Sequence, residues 1–147
     1  MTITVGDAVP RIQVPAYTPG RRNARITGPA DHAGRWVVLG FQPRAEVVDV
    51  RWLDALATLA AVHTADAPVV LAASTATWLE QAARHLDDHA LEGRVDHVLA
   101  DAHHLLAAAF GVLQADGDAI GAAVVIDPDG IVRQVATGAR RPLALAA

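Results

Sequence analysis

The sequence predicts an α/β protein with a mixed central sheet and helices on both faces of that sheet. Two continuous, β-rich apolar runs, residues 36–41 and 68–73, are typical of strands buried on both faces. Residues 48–63 instead repeat their apolar positions at helical spacing. A third pattern, two apolar strands joined by a tight turn, lies at residues 122–135. Strands therefore alternate with helices, and the last connection is a hairpin.

Composition predicts one domain spanning residues 1–147, because this length is typical of a single globular unit. Apolar residue types make up 52% of the chain and aromatic types only 4%. The core is therefore expected to consist mainly of Val, Leu, Ile and Ala side chains.

Several classes of protein are excluded by what the sequence lacks. No apolar run approaches the roughly 18 residues that a membrane-spanning helix needs, and the first residues do not resemble a signal peptide, so we expect a cytoplasmic protein. A net charge of −4 gives no general attraction to nucleic acids or acidic membranes. The absence of cysteine excludes disulfides, thiolate metal sites and cysteine nucleophiles.

One local basic cluster stands out against the acidic balance of the chain. Arg21, Arg22 and Arg25 lie within five residues of one another. The cluster is interpreted either as a solvated loop or as a contact for a small anion or a partner.

The first elements are predicted from the alternation of apolar and polar residue types and from the positions of proline. Residues 11–15 alternate apolar and polar types and end at a proline, which predicts a short edge strand. Glycine and proline are frequent in residues 18–34, which are therefore expected to form the longest loop. The buried strand at residues 36–41 is closed by Pro43, and the helix at 48–63 comes next.

The next elements depend on helix capping. After the strand at residues 68–73, Ser74 or Thr75 can cap a helix that runs to about Ala90, because either hydroxyl can accept a hydrogen bond from the free amides of the first turn. Residues 95–99 predict a short strand.

The remaining elements are a capped helix and a hairpin. Asp101 is predicted to cap a helix over residues 102–110, which Gly111 ends. In the hairpin turn Asp127-Pro128-Asp129-Gly130, proline presets φ and glycine supplies a positive φ. The two hairpin strands are residues 122–126 and 131–135.

Four local strings, in order along the chain, resemble landmarks of the peroxiredoxins, the AhpC/TSA family. They are VGDAVP at residues 5–10, GRWVVLGFQP at 34–43, AFGV at 109–112 and VIDPDGIVRQ at 125–134. The corresponding family strings are VGDxAP, GKWVVLFFYP, xYGV and IIDPKGxIRQ. This resemblance implies a thioredoxin-like fold of the peroxiredoxin type over nearly the whole chain. It also implies a homodimer.

The same resemblance locates a catalytic pattern whose chemistry is missing here. Active members carry P-x-x-x-[TS]-x-x-C after the central strand, together with an arginine from a later strand near the reacting sulfur. Aligned on that pattern, Pro43 is retained, the hydroxyl position is Val47, the cysteine position is Val50 and the arginine position is Gly121. We therefore expect a natural loss of thiol peroxidase activity, and a pocket lined by these four residues.

Polar residues around the former cysteine position offer an alternative chemistry. Asp49 lies one residue before Val50, where a helix N-terminus would stabilise its charge. With Glu46, it is the candidate acid/base group of a repurposed pocket, although a carboxylate that only stabilises the helix start is the simpler interpretation. Arg44 is a further candidate for the pocket. Trp52 either lines the pocket or packs beneath the helix.

Seven histidines raise the question of a metal site. His85 and His89 share one predicted helix face, but two ligands do not make a site, and a solvated face is favoured. His97, His103 and His104 are interpreted as core or interface residues. No metal and no cofactor are therefore predicted. His32 and His63 complete the set.

Two functions of different classes follow from these residues. The first is a binding or interaction module that keeps the scaffold and takes a small-molecule ligand or a partner, because valine and glycine at the catalytic positions form an apolar lining. The second is a cofactor-independent enzyme that uses Asp49, Glu46 or a histidine. A residual peroxidase activity ranks last.

Overall fold

The structure is a computed structural model that describes residues 2–42, 50–63, 68–85, 91–113 and 121–137. Seven strands form one sheet: β1 (Val14–Tyr17), β2 (Arg25–Thr27), β3 (Val37–Phe41), β4 (Val69–Ser74), β5 (His97–Ala100), β6 (Ala122–Ile126) and β7 (Val132–Thr137). The helices are α1 (Val50–His63), α2 (Trp78–His85) and α3 (Leu105–Ala109), and a 3₁₀ turn spans Pro29–His32.

The strand order is β2-β1-β5-β4-β3-β6-β7. Strands β3, β4 and β5 run parallel, and every other pairing is antiparallel. Parallel neighbours require crossovers, which α1 and the α2 region provide. The predicted mixed α/β sheet is confirmed.

Alternate residues of the central strands face two separate cores. On one face Leu39 and Leu71 pack with Leu106 and Phe110 from the α3 region. On the other face the core is completed by side chains from α1 and α2, among them Leu53, Leu56 and Ala82. Helices therefore cover both faces, as the apolar runs predicted.

The first strand differs from its prediction in place and in partners. It spans Val14–Tyr17 instead of residues 11–15, and it lies between β2 and β5 instead of at an edge. Pro15 is tolerated inside it because the pairing with β5 begins only at Ala16, so no neighbour on that side requires a proline N–H.

The segment predicted as the longest loop contains two elements. Strand β2 pairs Arg25 with Ala16 and Thr27 with Val14, and the 3₁₀ turn follows it. A strand of three residues with one apolar member has no periodicity to detect. Its existence depends on the long-range pairing with β1.

Helix α2 begins later than predicted, because its cap is Thr77 and not Ser74 or Thr75. The Glu80 amide donates to Thr77 Oγ1 at 3.2 Å, and the Thr77 amide donates to Glu80 Oε1 at 3.3 Å, which forms a capping box. Ser74 belongs to β4, and its hydroxyl accepts a hydrogen bond from the Ala76 amide within the connecting turn.

Helix α3 is shorter than the predicted 102–110, although Asp101 caps it as expected. The Asp101 carboxylate accepts hydrogen bonds from the amides of Leu106 and Ala107, at 3.0 and 2.9 Å. His104 adopts a φ of 60° just before the first helical residue, so the chain turns once before it becomes helical. Gly111, with a φ of 70°, ends the segment as predicted.

The C-terminal hairpin is confirmed, with β6 and β7 antiparallel. Asp127 organises its turn: the carboxylate accepts hydrogen bonds from the amides of Asp129 and Ile131, at 2.9 and 3.0 Å, and pairs with Arg133 Nε at 2.6 Å. Gly130 has a φ of 80°, which only a residue without a side chain adopts at little cost.

Candidate functional site

The predicted pocket belongs to the carboxyl end of β3. Five of its predicted residues lie outside the described part of the chain: Pro43, Arg44, Glu46, Val47 and Asp49. Val50 is the first residue of α1, although its side chain is not described. Gly121 is buried immediately before β6, and the pairing of Phe41 with Ala122 places it beside the end of β3. The backbone thus brings the start of β6 beside the carboxyl end of β3.

Trp52 packs against the core beneath α1. A Cβ atom added to Gly40 would lie 2.5 Å from Trp52 Cη2 and 2.7 Å from Leu56 Cδ2. Real Cβ atoms do not approach other atoms so closely, so the indole ring occupies space that a side chain at residue 40 would need. The sequence analysis did not predict this contact. The glycine at position 40, where the family string has phenylalanine, could have indicated it.

Polar groups collect at the carboxyl ends of β4 and β5. Within the described residues, the buried atoms Thr75 Oγ1 and Trp78 Nε1 have no hydrogen-bond partner. Both residues follow β4, the strand beside β3 in the sheet. A buried polar group without a hydrogen-bond partner lowers the stability of the fold. A hydrogen-bonding group that is not among the described residues could therefore pair with these two atoms.

Asp101, which follows β5 at this end of the sheet, is a buried ionisable residue that is hydrogen-bonded to the backbone. Its own amide donates to the Ser74 carbonyl at 2.8 Å, and its carboxylate is occupied by the α3 amides. Burial raises the pKa of Asp101 above its ordinary value, although hydrogen bonds from the α3 amides oppose that shift. A carboxylate so occupied holds β5 and α3 together and has little capacity left for a ligand.

A second polar cluster lies at the opposite end of the sheet. His97 starts β5, and its ring centroid is 5.7 Å from that of His32 in the 3₁₀ turn. Thr18 Oγ1 is hydrogen-bonded to His97 Nδ1 at 2.8 Å, and Thr27 Oγ1 to His32 Nε2 at 3.4 Å. No sequence pattern predicts this pair, because the two histidines are separated by 65 positions and approach only through the β1–β5 pairing.

Burial lowers the pKa of both histidines, and like charge adds to the effect. For His97 the further lowering comes from His32 and Arg25, while Asp96 opposes it. For His32 the carboxylates Asp31 and Asp96 oppose the effect of burial, and Arg35 adds to it. Both rings therefore favour the neutral form, in which each can donate one hydrogen bond and accept another.

The described residues contain no group of three or more potential metal ligands. His85 is in α2, but its side chain is not described, and His89 lies outside the described residues. His103 is exposed and His104 is half-buried. The described part also has no helix long and apolar enough to cross a membrane.

The order and spacing of these elements agree with those of one known protein family. The sequence profile of the AhpC/TSA family matches residues 5–135. The chain belongs to the AhpC/TSA family. Since the profile covers the central strand, the former cysteine position and the hairpin, the family assignment includes the region of the predicted pocket.

Solved structures of AhpC proteins and of a peroxiredoxin share this fold. Mycobacterium tuberculosis AhpC is 22% identical with a TM-score of 0.76, and the alignment covers 96% of this chain and 90% of that one. Enterococcus faecalis AhpC is 22% identical with a TM-score of 0.73, covering 95% and 83%. The reduced 2-Cys peroxiredoxin of Plasmodium vivax is 22% identical with a TM-score of 0.73, covering 91% and 85%. No curated protein matches the chain.

This AhpC/TSA protein therefore has the thioredoxin-like peroxiredoxin fold. Its sequence contains no cysteine, which fits the loss of thiol peroxidase activity. The fold alone does not say what the protein does.

Proposed function

We propose that this AhpC/TSA protein is a binding module whose ligand or partner occupies the carboxyl end of β3, where the family's cysteine would lie. The observation that carries the proposal is the valine at position 50, the first residue of α1, in a chain without any cysteine. A helix start can stabilise a thiolate, but a valine there has no charge to stabilise. An apolar lining of Val47, Val50 and Gly121 suits an apolar ligand surface.

Two further features support an occupant at this end of the sheet. Thr75 Oγ1 and Trp78 Nε1 are buried and have no partner among the described residues. A ligand or partner that supplies a hydrogen-bond acceptor would recover the free energy that their burial costs, about 1 to 3 kcal/mol for each group. The proposed occupant is therefore mainly apolar and carries an acceptor at one end.

The alignment at Val50 is tested by placing a cysteine at that residue. The thiol of Val50→Cys is expected to have a lower pKa than the thiol of Ala61→Cys, an exposed position near the other end of the same helix. The pH dependence of alkylation by iodoacetamide measures both values. Equal pKa values would contradict the placement of the former cysteine at the helix start.

Loss of the family activity is tested on the unaltered chain. Purified protein with dithiothreitol is expected to consume hydrogen peroxide no faster than dithiothreitol alone. Turnover well above that background would overturn the proposal that thiol chemistry has been replaced by binding.

Binding is tested with the apolar dye 1-anilinonaphthalene-8-sulfonate, whose sulfonate also supplies an acceptor. We expect saturable fluorescence enhancement that Val50→Asp weakens at least fivefold, because a charged carboxylate in the proposed pocket disfavours an apolar occupant. Ala61→Asp adds the same charge to the exposed face of α1 and is expected to leave binding unchanged. Absence of saturable binding, or equal losses in both variants, would contradict a pocket at Val50.

A homodimer and a cytoplasmic location are part of the same proposal. Leu105, at the start of α3, is 52% exposed, and Ala108 one turn later is also exposed. A second copy of the chain would bury this apolar face. Light scattering after size exclusion is expected to give twice the chain mass, and Leu105→Glu to reduce it to one chain. A monomeric wild-type protein would contradict the dimer.

A further inference from the structure

The loop between β1 and β2 forms a basic depression. Its lining is Arg21, Arg22, Asn23, Ala24 and Arg25, and its volume is about 400 Å³. That volume is large enough for a small ligand. The loop itself contains no acidic residue.

The backbone gives this loop a defined shape. Gly20 has a φ of 80°, and the Arg21 amide donates to the Thr18 carbonyl at 3.0 Å, which closes a turn after β1. Arg25 is the first residue of β2 and is paired with Ala16 in the sheet. The arginines are therefore carried by a tight hairpin anchored to a buried strand.

Among the described residues, no ion pair joins these three guanidinium groups to a carboxylate. The ion pairs in the described part of the chain join Arg94 to Asp54 and Arg133 to Asp127, and neither pair involves this loop. The carboxylate of Glu92 lies against Gly20, at the start of this loop. Three like charges held within five residues repel one another, and an anion between them relieves that repulsion.

The basic depression also adjoins the histidine pair. The charge of Arg25 acts on His97, and Thr18, which accepts the turn hydrogen bond from Arg21, is bonded to the His97 ring. The positive charge of Arg25 lowers the pKa of His97, in addition to the larger effects of burial and of His32. The groups around the pair that would respond with it are His32, Asp31, Asp96 and Arg35.

We propose that Arg21, Arg22 and Arg25 form a binding site for a small phosphorylated molecule. Phosphate matches the arrangement because it carries up to two charges and several acceptor oxygens, and each guanidinium can donate two parallel hydrogen bonds to it. The net charge of −4 disfavours a long polyanion, and the volume of the depression agrees with a small ligand. Nothing in this proposal depends on the pocket at Val50.

The site is separate from that pocket by topology. Tyr17 pairs with Val98, so the loop that follows β1 lies at the amino end of β5. The former cysteine position follows the carboxyl end of β3, which runs in the same direction as β5. The two sites therefore lie at opposite ends of the sheet.

Calorimetric titration with inorganic pyrophosphate tests the site. Saturable binding is expected, and Arg25→Gln, Arg21→Gln and Arg22→Gln should each weaken it about tenfold, the loss expected for one charge-assisted contact. Arg11→Gln removes an equal, exposed charge that lies outside this loop and should change affinity less than twofold. No binding, or an equal loss in Arg11→Gln, would overturn the proposal. Citrate that binds as tightly as pyrophosphate would overturn the choice of phosphate.

Proton NMR of His97 gives a second readout that general surface attraction would not give. Bound pyrophosphate is expected to raise the pKa of His97 in the wild-type chain, because the anion favours the imidazolium form. The same addition should have a smaller effect in Arg25→Gln. A pKa of His97 that does not respond to saturating pyrophosphate would contradict a ligand held beside Arg25.

Discussion

A glycine in the central strand lets the first helix approach the sheet closely. Gly40 lies in β3, and Trp52 and Leu56 from α1 occupy the space above it. The string around it otherwise resembles the family, whose phenylalanine at this position would collide with the indole ring. Gly40 and Trp52 are therefore complementary in size, at the place where the first turn of α1 packs on β3.

This pairing predicts a specific loss of stability. Gly40→Ala is expected to reduce the free energy of unfolding by about 1 to 3 kcal/mol, because the new methyl group overpacks the site. Combined with Trp52→Ala, which vacates the space, the substitution should cost clearly less than it does alone. Urea denaturation measures each value. Trp78→Ala is the control, since Trp78 is not among the side chains nearest Gly40, and its combination with Gly40→Ala should be additive.

The hydrogen bonds of Asp127 predict that the stability of the protein depends on pH in the acid range. Burial alone would raise the pKa of Asp127, but hydrogen bonds from Ile131 and Arg133 hold it below the ordinary value of 3.8. Its contribution is therefore fully present above pH 3.8 and is lost as the pH falls through the lower value of the folded state. We expect Asp127→Asn to cost about 1.5 kcal/mol at neutral pH, and this difference to shrink in acid.

Urea denaturation of both proteins across the acid range measures that difference. Asp129→Asn is the matched control, because Asp129 lies in the same turn with an exposed side chain and should change stability little at any pH. A wild-type advantage over Asp127→Asn that persists unchanged well below pH 3.8 would contradict the assignment.

At the scale of elements, α2 shows how a cap fixes where a helix begins. Three hydroxyl residues precede it, and Thr77 is the one that can exchange hydrogen bonds with Glu80. Ser74 cannot do so, because its backbone completes the pairing of β4 with β5. The end of β4 therefore determines which hydroxyl is available to cap the helix.

Removal of this cap is expected to destabilise the protein. Thr77→Ala should lower the free energy of unfolding by about 1 kcal/mol, because it leaves a first-turn amide without an acceptor. Thr58→Ala makes the same change within α1, where the exposed hydroxyl only bonds back to the Asp54 carbonyl, and should be neutral or slightly stabilising. Thermal denaturation followed by circular dichroism compares the two. Equal losses would contradict the capping role.

At the scale of the whole molecule, the two cores share the same strands. Val38 and Leu39 are neighbours in β3 that face opposite cores, and the same holds for Val124 and Val125 in β6. If the side chains on one face of these strands lost their packing, the strands would shift and the packing on the other face would be disturbed as well. The sheet therefore couples the two layers of helices.

This coupling predicts one cooperative unfolding transition, as expected for the single domain proposed from residues 1–147. The three tryptophans all pack against the core beneath α1 and α2, so their fluorescence reports one face of the sheet. Far-ultraviolet circular dichroism reports the secondary structure of both faces. The urea midpoints from the two measurements are expected to coincide. Separate midpoints would contradict the shared core.

The sequence by itself determined the features that depend on neighbouring residues. The buried strands β3 and β4, the hairpin with its Asp127 turn, the end of α3 at Gly111 and the absence of cysteine could all be read from the sequence. Each is set by periodicity, by the allowed φ of glycine and proline, or by which atoms the chain contains.

Only the tertiary structure decided the features that depend on strand order. It placed β1 between two neighbours, brought His32 to His97, and packed Trp52 onto Gly40. No local pattern encodes these contacts, because residues far apart in the chain meet only once the sheet has assembled. The predicted pocket stays a prediction: the backbone at Val50 and Gly121 is described, while the acid/base candidates Glu46 and Asp49 lie outside the described residues.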